Sequence, residues 1–468
     1  MNELQSQTPV PRKRRWPRIL LAVFLFLVVA YTAYRYALHR MVEAKLDAIR
    51  KEGYPVTLGE LDKWYKQPPP GENAADVLTN AFAHYSDPKF ALANTNLPVV
   101  GSASMPLVGK PLPPAMKEAI IEYLETNRVA LALLHEAGSM SRCRFPIDIS
   151  KFPPQFSHLS KIRHGERLLQ LEAIFAADSD DPALATKSVL CSLGLSKSLS
   201  SEPILISGLV RIACDAISLR SLGYVLGKLS LSREQLETLH AALDSSAIEA
   251  SMHEVMIGER AYDCDSHRHI ADIIDELQKT LPDYKEAWEL WKQENPIHSK
   301  ARLFCYKNAG LLDWDFLCEL EFLDQYVAAS QSSVIRRVSA AREIQKHVDR
   351  LPPWKCLSKS TLQSVDAVFR KDSTDIAHLR AARIALSVEQ FCLVFQRRPT
   401  TLNELVPQYL ETIPLDPYDG APMKYRLSHK GFVAYSVGED GRDNGGDGDR
   451  YEGYRFIRGL DITFAVER

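Results

Sequence analysis

The chain has 468 residues, 46% of them apolar and 25% charged, which allows more than one buried core and excludes general disorder. A formal net charge of −2 excludes a whole-protein attraction to nucleic acid, and no nucleic-acid-reading motif is present. The eight cysteines lie scattered from Cys143 to Cys392 without a C-x-x-C pair, which excludes a zinc ribbon, a thioredoxin-like motif and a dense disulfide framework.

Residues Met1 to Pro11 are polar and read as a disordered tail. Arg12, Lys13, Arg14, Arg15 and Arg18 follow, and then the uncharged run Ile19 to Tyr34. Extended to Leu38, the run covers a ~30 Å hydrocarbon core at ~1.5 Å per residue. Arg35 lies near the far end, where its side chain can snorkel to the interface. Trp16 on one side and Tyr31, Tyr34 and Tyr36 on the other suit interfacial belts. The basic cluster precedes the span, so the positive-inside rule predicts a cytoplasmic N-terminus. A signal-peptide cleavage site needs small residues at −3 and −1. Cleavage after Ala33 or Ala37 would put Tyr31 or Arg35 at −3, so an uncleaved anchor is expected. The expected address is the bacterial inner membrane, single-pass. Residues 1–18 would be cytoplasmic, Ile19 to Leu38 would lie in the lipid bilayer, and the bulk of the chain would be periplasmic.

Residues 39–112 read as a stalk and short helices. Met41 to Glu52 is charged and helical in period, Gly53-Tyr54-Pro55 stops it, and Thr57 with Glu60 forms a capping box for Leu58 to Tyr65. After Pro68-Pro69-Pro70-Gly71, a helix places Ala75, Leu78, Ala81, Phe82 and Tyr85 at helical spacing. Residues 88–112 read as a loop. Residues 113–370 then read as a large multi-helix domain of helical hairpins. Ser232 with Gln235 caps Leu236 to Leu243, and Leu312, Phe316, Leu320, Leu323 and Val327 form one apolar stripe.

Two stretches in this region carry metal-ligand residue types. His253-Glu254 opens like a zincin motif, but the second histidine would fall at Ile257. Asp263, Asp265, His267 and His269 alternate, and because i, i+2 positions do not share a helix face, a common site requires a loop or strand there. On that footing the alternative function is a membrane-anchored metal-dependent hydrolase using these four residues. No G-x-S-x-G, Walker A or Rossmann glycine pattern occurs.

Leu351-Pro352-Pro353-Trp354 marks a boundary region, and residues 375–468 read as a small α+β domain. A helix is predicted to begin near Asp375, with Leu379, Ala382, Leu386 and Leu393 on one face. A short helix follows at Asn403 to Val406, then a turn at Asp419-Gly420, and Met423 to Leu427 and Phe432 to Val437 form a hairpin. The window Glu439 to Asp449 holds Glu439, Asp440, Asp443, Asp447 and Asp449 against Arg442, so its acids repel unless a cation or solvent compensates. A strand returns at Leu460 to Phe464.

Four segments of this domain follow in a telling order: Ala382 to Leu386 leading to Arg398-Pro399, Thr401 to Val406, Pro414 to Tyr425, and Tyr435 to Gly441. Together they resemble the C-terminal half of the major pseudopilin of type II secretion systems, over about 90 of the 468 residues. The resemblance implies a helix packed on a small antiparallel sheet and a calcium-binding loop. It places ligands at Asp440, at the backbone carbonyl of Val437 and at Asp461. Asp443 or Asp447 is a replacement ligand, since the spacing from Asp440 to Asp461 exceeds the family's. Pseudopilins begin with a processed glycine or its aromatic successor and carry a glutamate five residues into the hydrophobic helix, and neither accompanies Ile19 to Tyr34. The resemblance is therefore to a module and not to a filament subunit. The expectation is a mainly α, membrane-anchored protein of scaffold or interaction type, envelope or secretion-related, whose partners are other envelope proteins.

Overall fold

The structure is a computed structural model describing residues 16–87, 94–147, 153–244, 246–270, 272–273, 300–448, 450–452, 455–457 and 459–468. The polar tail, with Arg12 to Arg15, and Asp449 lie outside them.

Helix α1, Trp16–Lys51, runs 36 residues without a break, because no Gly or internal Pro interrupts it before Gly53 at φ +87°. Its first half is exposed and apolar enough to cross a membrane. Its second half is not a free stalk. Val42, Leu46 and Ile49 recur at helical spacing and pack on Val56, Cys264, Phe316 and Leu320 in the body.

The body is built of helices packed on one another. In order come α2 (Leu58–Trp64), α3 (Ala74–Ala83), α4 (Pro114–Thr126), α5 (Arg128–Gly138), α6 (Ser157–Asp178), α7 (Pro182–Lys197), α8 (Leu205–Lys228) and α9 (Arg233–Ala242). After them come α10 (Ser246–Arg268), α11 (Lys300–Asn308), α12 (Leu311–Ser330), α13 (Val334–Asp349), α14 (Cys356–Leu362) and α15 (Val365–Phe395). The capping boxes predicted from Thr57 and Ser232 start α2 and α9; at Ser232 the reciprocal Gln235 bond is also made. Helices α5 and α7 cross in close contact at two glycines, where a Cβ on Gly138 would lie 2.8 Å from the Cys191 Cα.

Helix α15 begins ten residues before the predicted start at Asp375, and the suggested division at residues 370–375 falls inside it. Its N-terminal third carries acids inward. Arg211 of α8 pairs with Asp215 and Asp375 at 2.7 Å and with Asp372 at 3.2 Å, while Arg337 of α13 reaches Asp372 at 3.1 Å. All five groups are buried, so each charge depends on the others for compensation.

The predicted hairpin forms from β1 (Lys424–Leu427) and β2 (Gly431–Ser436). A short hairpin of β3 (Arg450–Glu452) and β4 (Arg455–Ile457) follows, and β5 (Ile462–Glu467) completes a three-stranded antiparallel sheet in the order β1-β2-β5. Ala434 stands opposite Tyr425 on one side and Phe464 on the other. Phe432, Ala434, Phe464 and Val466 join the same core as α15 and α8. At the C-terminus Arg468 pairs with Glu389 at 2.6 Å and donates to the Leu226 and Leu229 carbonyls. The described residues are mainly helical, with a small three-stranded antiparallel sheet near the end of the chain.

Candidate functional site

The loop after β2 is built by aspartates that accept hydrogen bonds from backbone N–H groups. Buried Asp416, from the Pro414-Leu415-Asp416-Pro417 segment, accepts from the Val437 N–H at 2.8 Å, the Ser436 hydroxyl at 2.9 Å and the Tyr418 N–H at 2.9 Å. It fixes the end of β2 and the entry to the loop. Gly438 takes φ +72° to turn the chain outward. Asp440 accepts from the Arg442 N–H at 2.9 Å and the Asn444 side-chain amide at 3.1 Å. Asp461, 4% exposed, accepts from the Asn444 N–H at 3.3 Å, the Gly446 N–H at 2.6 Å and the Asp447 N–H at 3.2 Å. Gly445 and Gly446, both at positive φ, turn successive N–H groups inward, so the loop is a nest around one carboxylate.

Of the predicted ligands, Asp440 and Asp461 are thus brought together around Asn444, which sequence reasoning did not single out. Asp443 is committed elsewhere, to the Gly445 N–H at 3.0 Å, the Tyr435 hydroxyl at 3.1 Å and Lys424 at 3.3 Å. Asp447 contributes its carbonyl to the Leu460 and Asp461 N–H groups, and Val437 closes the strand. The Arg442 N–H holds the Asp440 carboxyl below its ordinary pKa, and the Gly445 N–H does the same for Asp443. Among the described residues no group of three or more His, Cys, Asp and Glu side chains is arranged to hold a metal ion. A carboxylate offers about four acceptor positions, so Asp461 with three N–H partners and Asp440 with two retain room for a cation. Asp440 and Asp461 flank Asn444, whereas Asp443 stands with Lys424. Between the loop and the outer face of the sheet lies a groove of about 500 Å³ lined by Arg426, Asn444, Asp447, Thr463 and Glu467.

The run Asp263 to His269 is helical through Arg268, not loop or strand as a common site would need. Its four side chains therefore diverge. Asp263 is buried beside Glu259 and Glu319, whereas Asp265 caps α2 through the Leu58 N–H at 2.7 Å. His267 stacks on Phe316 at 3.9 Å, and His269 faces Asp272 at 3.1 Å. These four residues do not assemble a hydrolase centre. His253 bonds Ser330 at 3.1 Å and Gln331 at 3.2 Å, a tie between α10 and the end of α12.

Two clusters escaped the sequence reading. Burial, reinforced by the neighbouring carboxylates, pushes Glu319 and Asp263 above the usual carboxylate range; burial alone raises Glu259, one turn before Asp263. At the α5–α7 glycine crossing, the His135 Nδ1 lies 3.1 Å from the Cys191 Sγ and its Nε2 lies 2.7 Å from the Glu172 Oε2, which the Ser188 hydroxyl also bonds at 2.7 Å. Burial opposes a charge on His135, but hydrogen bonds to Cys191 and Glu172 outweigh it and hold the imidazole up at about 9. Chemically this is a thiol, an imidazole and a carboxylate in line, the order in which a base is oriented toward a nucleophile. Cys191 is only 6% exposed, so here the arrangement staples three helices. Comparison with known protein families, with curated proteins and with solved structures yields no match.

Proposed function

We propose that this chain is a single-pass membrane-anchored scaffold of the bacterial envelope, with its body on the periplasmic side and other envelope proteins as its partners. One observation carries the reading: a helix of membrane-crossing length and composition continues unbroken into the core of a helical body. We also read the C-terminal half of α15, the three-stranded antiparallel sheet and the loop behind β2 as a pseudopilin-like module. The order helix, sheet, acidic loop supports that reading. Calcium would be a structural ligand there, held by Asp440 and Asp461.

The side of the membrane is tested with a Lys430→Cys variant, on the exposed turn between β1 and β2, in a chain whose accessible Cys305, Cys318 and Cys392 are replaced by Ser. It should react with a membrane-impermeant maleimide once the outer membrane is permeabilised. Labelling only after the inner membrane is lysed overturns the periplasmic placement. The scaffold role is tested by crosslinking native membranes and identifying what is joined to the chain. Adducts with defined envelope proteins at stoichiometric yield are expected. Recovery of the chain joined only to itself would refute the role.

A further inference from the structure

The turn between α11 and α12 grips α1 at a defined height. Tyr31 is the earliest α1 residue with a hydrogen bond to the body among the described residues, donating to the Asn308 carbonyl at 2.9 Å. One turn on, Tyr34 donates to the Ala309 carbonyl at 3.3 Å and accepts from the Trp314 indole at 3.1 Å, while Arg35 pairs with Asp313 at 2.7 Å. The turn is pressed onto the helix. Gly310 takes φ +75°, and a Cβ there would lie 2.7 Å from the Tyr34 hydroxyl and 2.9 Å from Leu38. Residues 308–314 are therefore the end of the body nearest the bilayer.

That end is apolar where it faces outward. Phe304 is 69% exposed, Trp354 59%, Trp314 42% and Leu311 37%. Trp314 and Trp354 share one neighbourhood, because Lys355 donates to the Trp314 carbonyl, and Phe304 lies on α11, whose Tyr306 hydroxyl donates to the Trp354 carbonyl. Exposed Lys307 and Lys359 lie within a few residues of Phe304 and Trp354 in sequence, suited to lipid phosphates.

Length supplies the second argument. If the outer edge of the hydrocarbon stood at Tyr31, only Ile19 to Ala30 would lie within it, which is ~18 Å against a core of ~30 Å. The bilayer must thin, or the body must descend. Two tryptophans and a phenylalanine beside the entry point favour descent, since aromatic rings settle at the headgroup level and an amphipathic face buries ~5–10 Å into that boundary.

We propose that the face formed by Phe304, Leu311, Trp314 and Trp354 is seated in the outer interface of the bilayer, a second lipid contact that fixes the body against the membrane. It rests on the reading of α1 as a membrane-crossing helix. The seat is continuous with α1, so its occupant is lipid and not a protein.

The test is site-specific photocrosslinking of the full chain in bilayer nanodiscs of phosphatidylethanolamine and phosphatidylglycerol. A benzophenone amino acid replaces Phe24, Phe304, Trp354 or, as a control on the C-terminal sheet, Leu427, and adducts are read by mass. Lipid adducts at 24, 304 and 354 and their loss at 427 are expected. Adducts at 24 with none at 304 and 354 overturn this proposal and leave the anchor standing. No lipid adduct at 24 refutes the anchor itself. Protein adducts at 304 and 354 in place of lipid also overturn the proposal and assign the face to a partner or a second copy.

Discussion

Replacing Glu319 by Gln should make the protein more stable at neutral pH while leaving it nearly unchanged in acid. Glu319 is 4% exposed and accepts from the Thr361 hydroxyl at 2.6 Å. Burial first, and then the charges of Asp315 and Glu259, push its carboxyl up to about 8 against 4.5 in the unfolded chain. The fold thus holds a proton that the unfolded chain releases. Because the folded pKa is raised, stability declines as pH rises from the unfolded value toward the folded one. Each such group costs about 1.4 kcal/mol per pH unit inside that window. Titration shared with Glu259 and Asp263 reduces this, so the decline assigned to Glu319 between pH 5 and pH 7 is on the order of 1 kcal/mol per unit. Gln keeps the shape and the acceptor oxygen for Thr361 but never ionises. Urea unfolding of the full chain in detergent micelles, at several pH values, measures the difference. The wild-type midpoint should fall more steeply than that of Glu319→Gln between pH 5 and pH 7 at equal slope m. Parallel curves would refute the burial argument.

Other perturbations give further expected outcomes. His135→Gln should remove stability that is fully present below pH 6.5 and lost as pH rises toward about 9, because the fold raises that imidazole's pKa; unchanged midpoints at pH 6 would sink the idea. Gly138→Ala drives a Cβ onto the Cys191 backbone and should cost about 1–3 kcal/mol, with His135's pH dependence weakened as α5 and α7 part. Arg211→Met strands Asp215 and Asp375 in the core, leaves Asp372 to Arg337 alone, and should cost about 3–5 kcal/mol, as removal of one partner from a buried pair does. If calcium binds at Asp440 and Asp461, it should raise the melting temperature, and Asp440→Ala should abolish the rise; a chelator that leaves the wild-type curve unmoved rules the ion out.

Legibility in the sequence followed range. The membrane-length run and the β1–β2 hairpin were readable because an uncharged stretch and an alternation of aromatic and β-branched residues are local signals. The full extent of α15 was hidden because the helix is buried nearly all round and shows no single apolar face, so only its second half matched an amphipathic pattern. The run Asp263 to His269 looked like a polar loop, yet Met256, Ile257, Ala261 and Cys264 are buried one or two turns before or within it, and that packing carries the helix onward. His135 finds Cys191 and Glu172 across 56 and 37 positions, and Arg211 finds Asp375 across 164, separations at which no window of sequence carries information. In the acidic loop the aspartates were visible, but their partners were backbone N–H groups and Asn444, which composition does not reveal.

The position of α15 decides how the sheet and the helical body are joined. Its N-terminal third ends in the Arg211 and Arg337 network of the helical body, and its C-terminal part holds the sheet. There the Ser387 hydroxyl bonds the Tyr409 carbonyl at 3.1 Å, and Glu389 takes Arg468. A swinging sheet would have to break the Arg468 contacts to α8, or draw buried aspartates away from their arginines, at several kcal/mol. At the opposite end α1 enters the core without a joint. Helix α15 is thus shared between the sheet and the helical body. The groove beside Asn444 and Asp447 is therefore held in one orientation relative to α1.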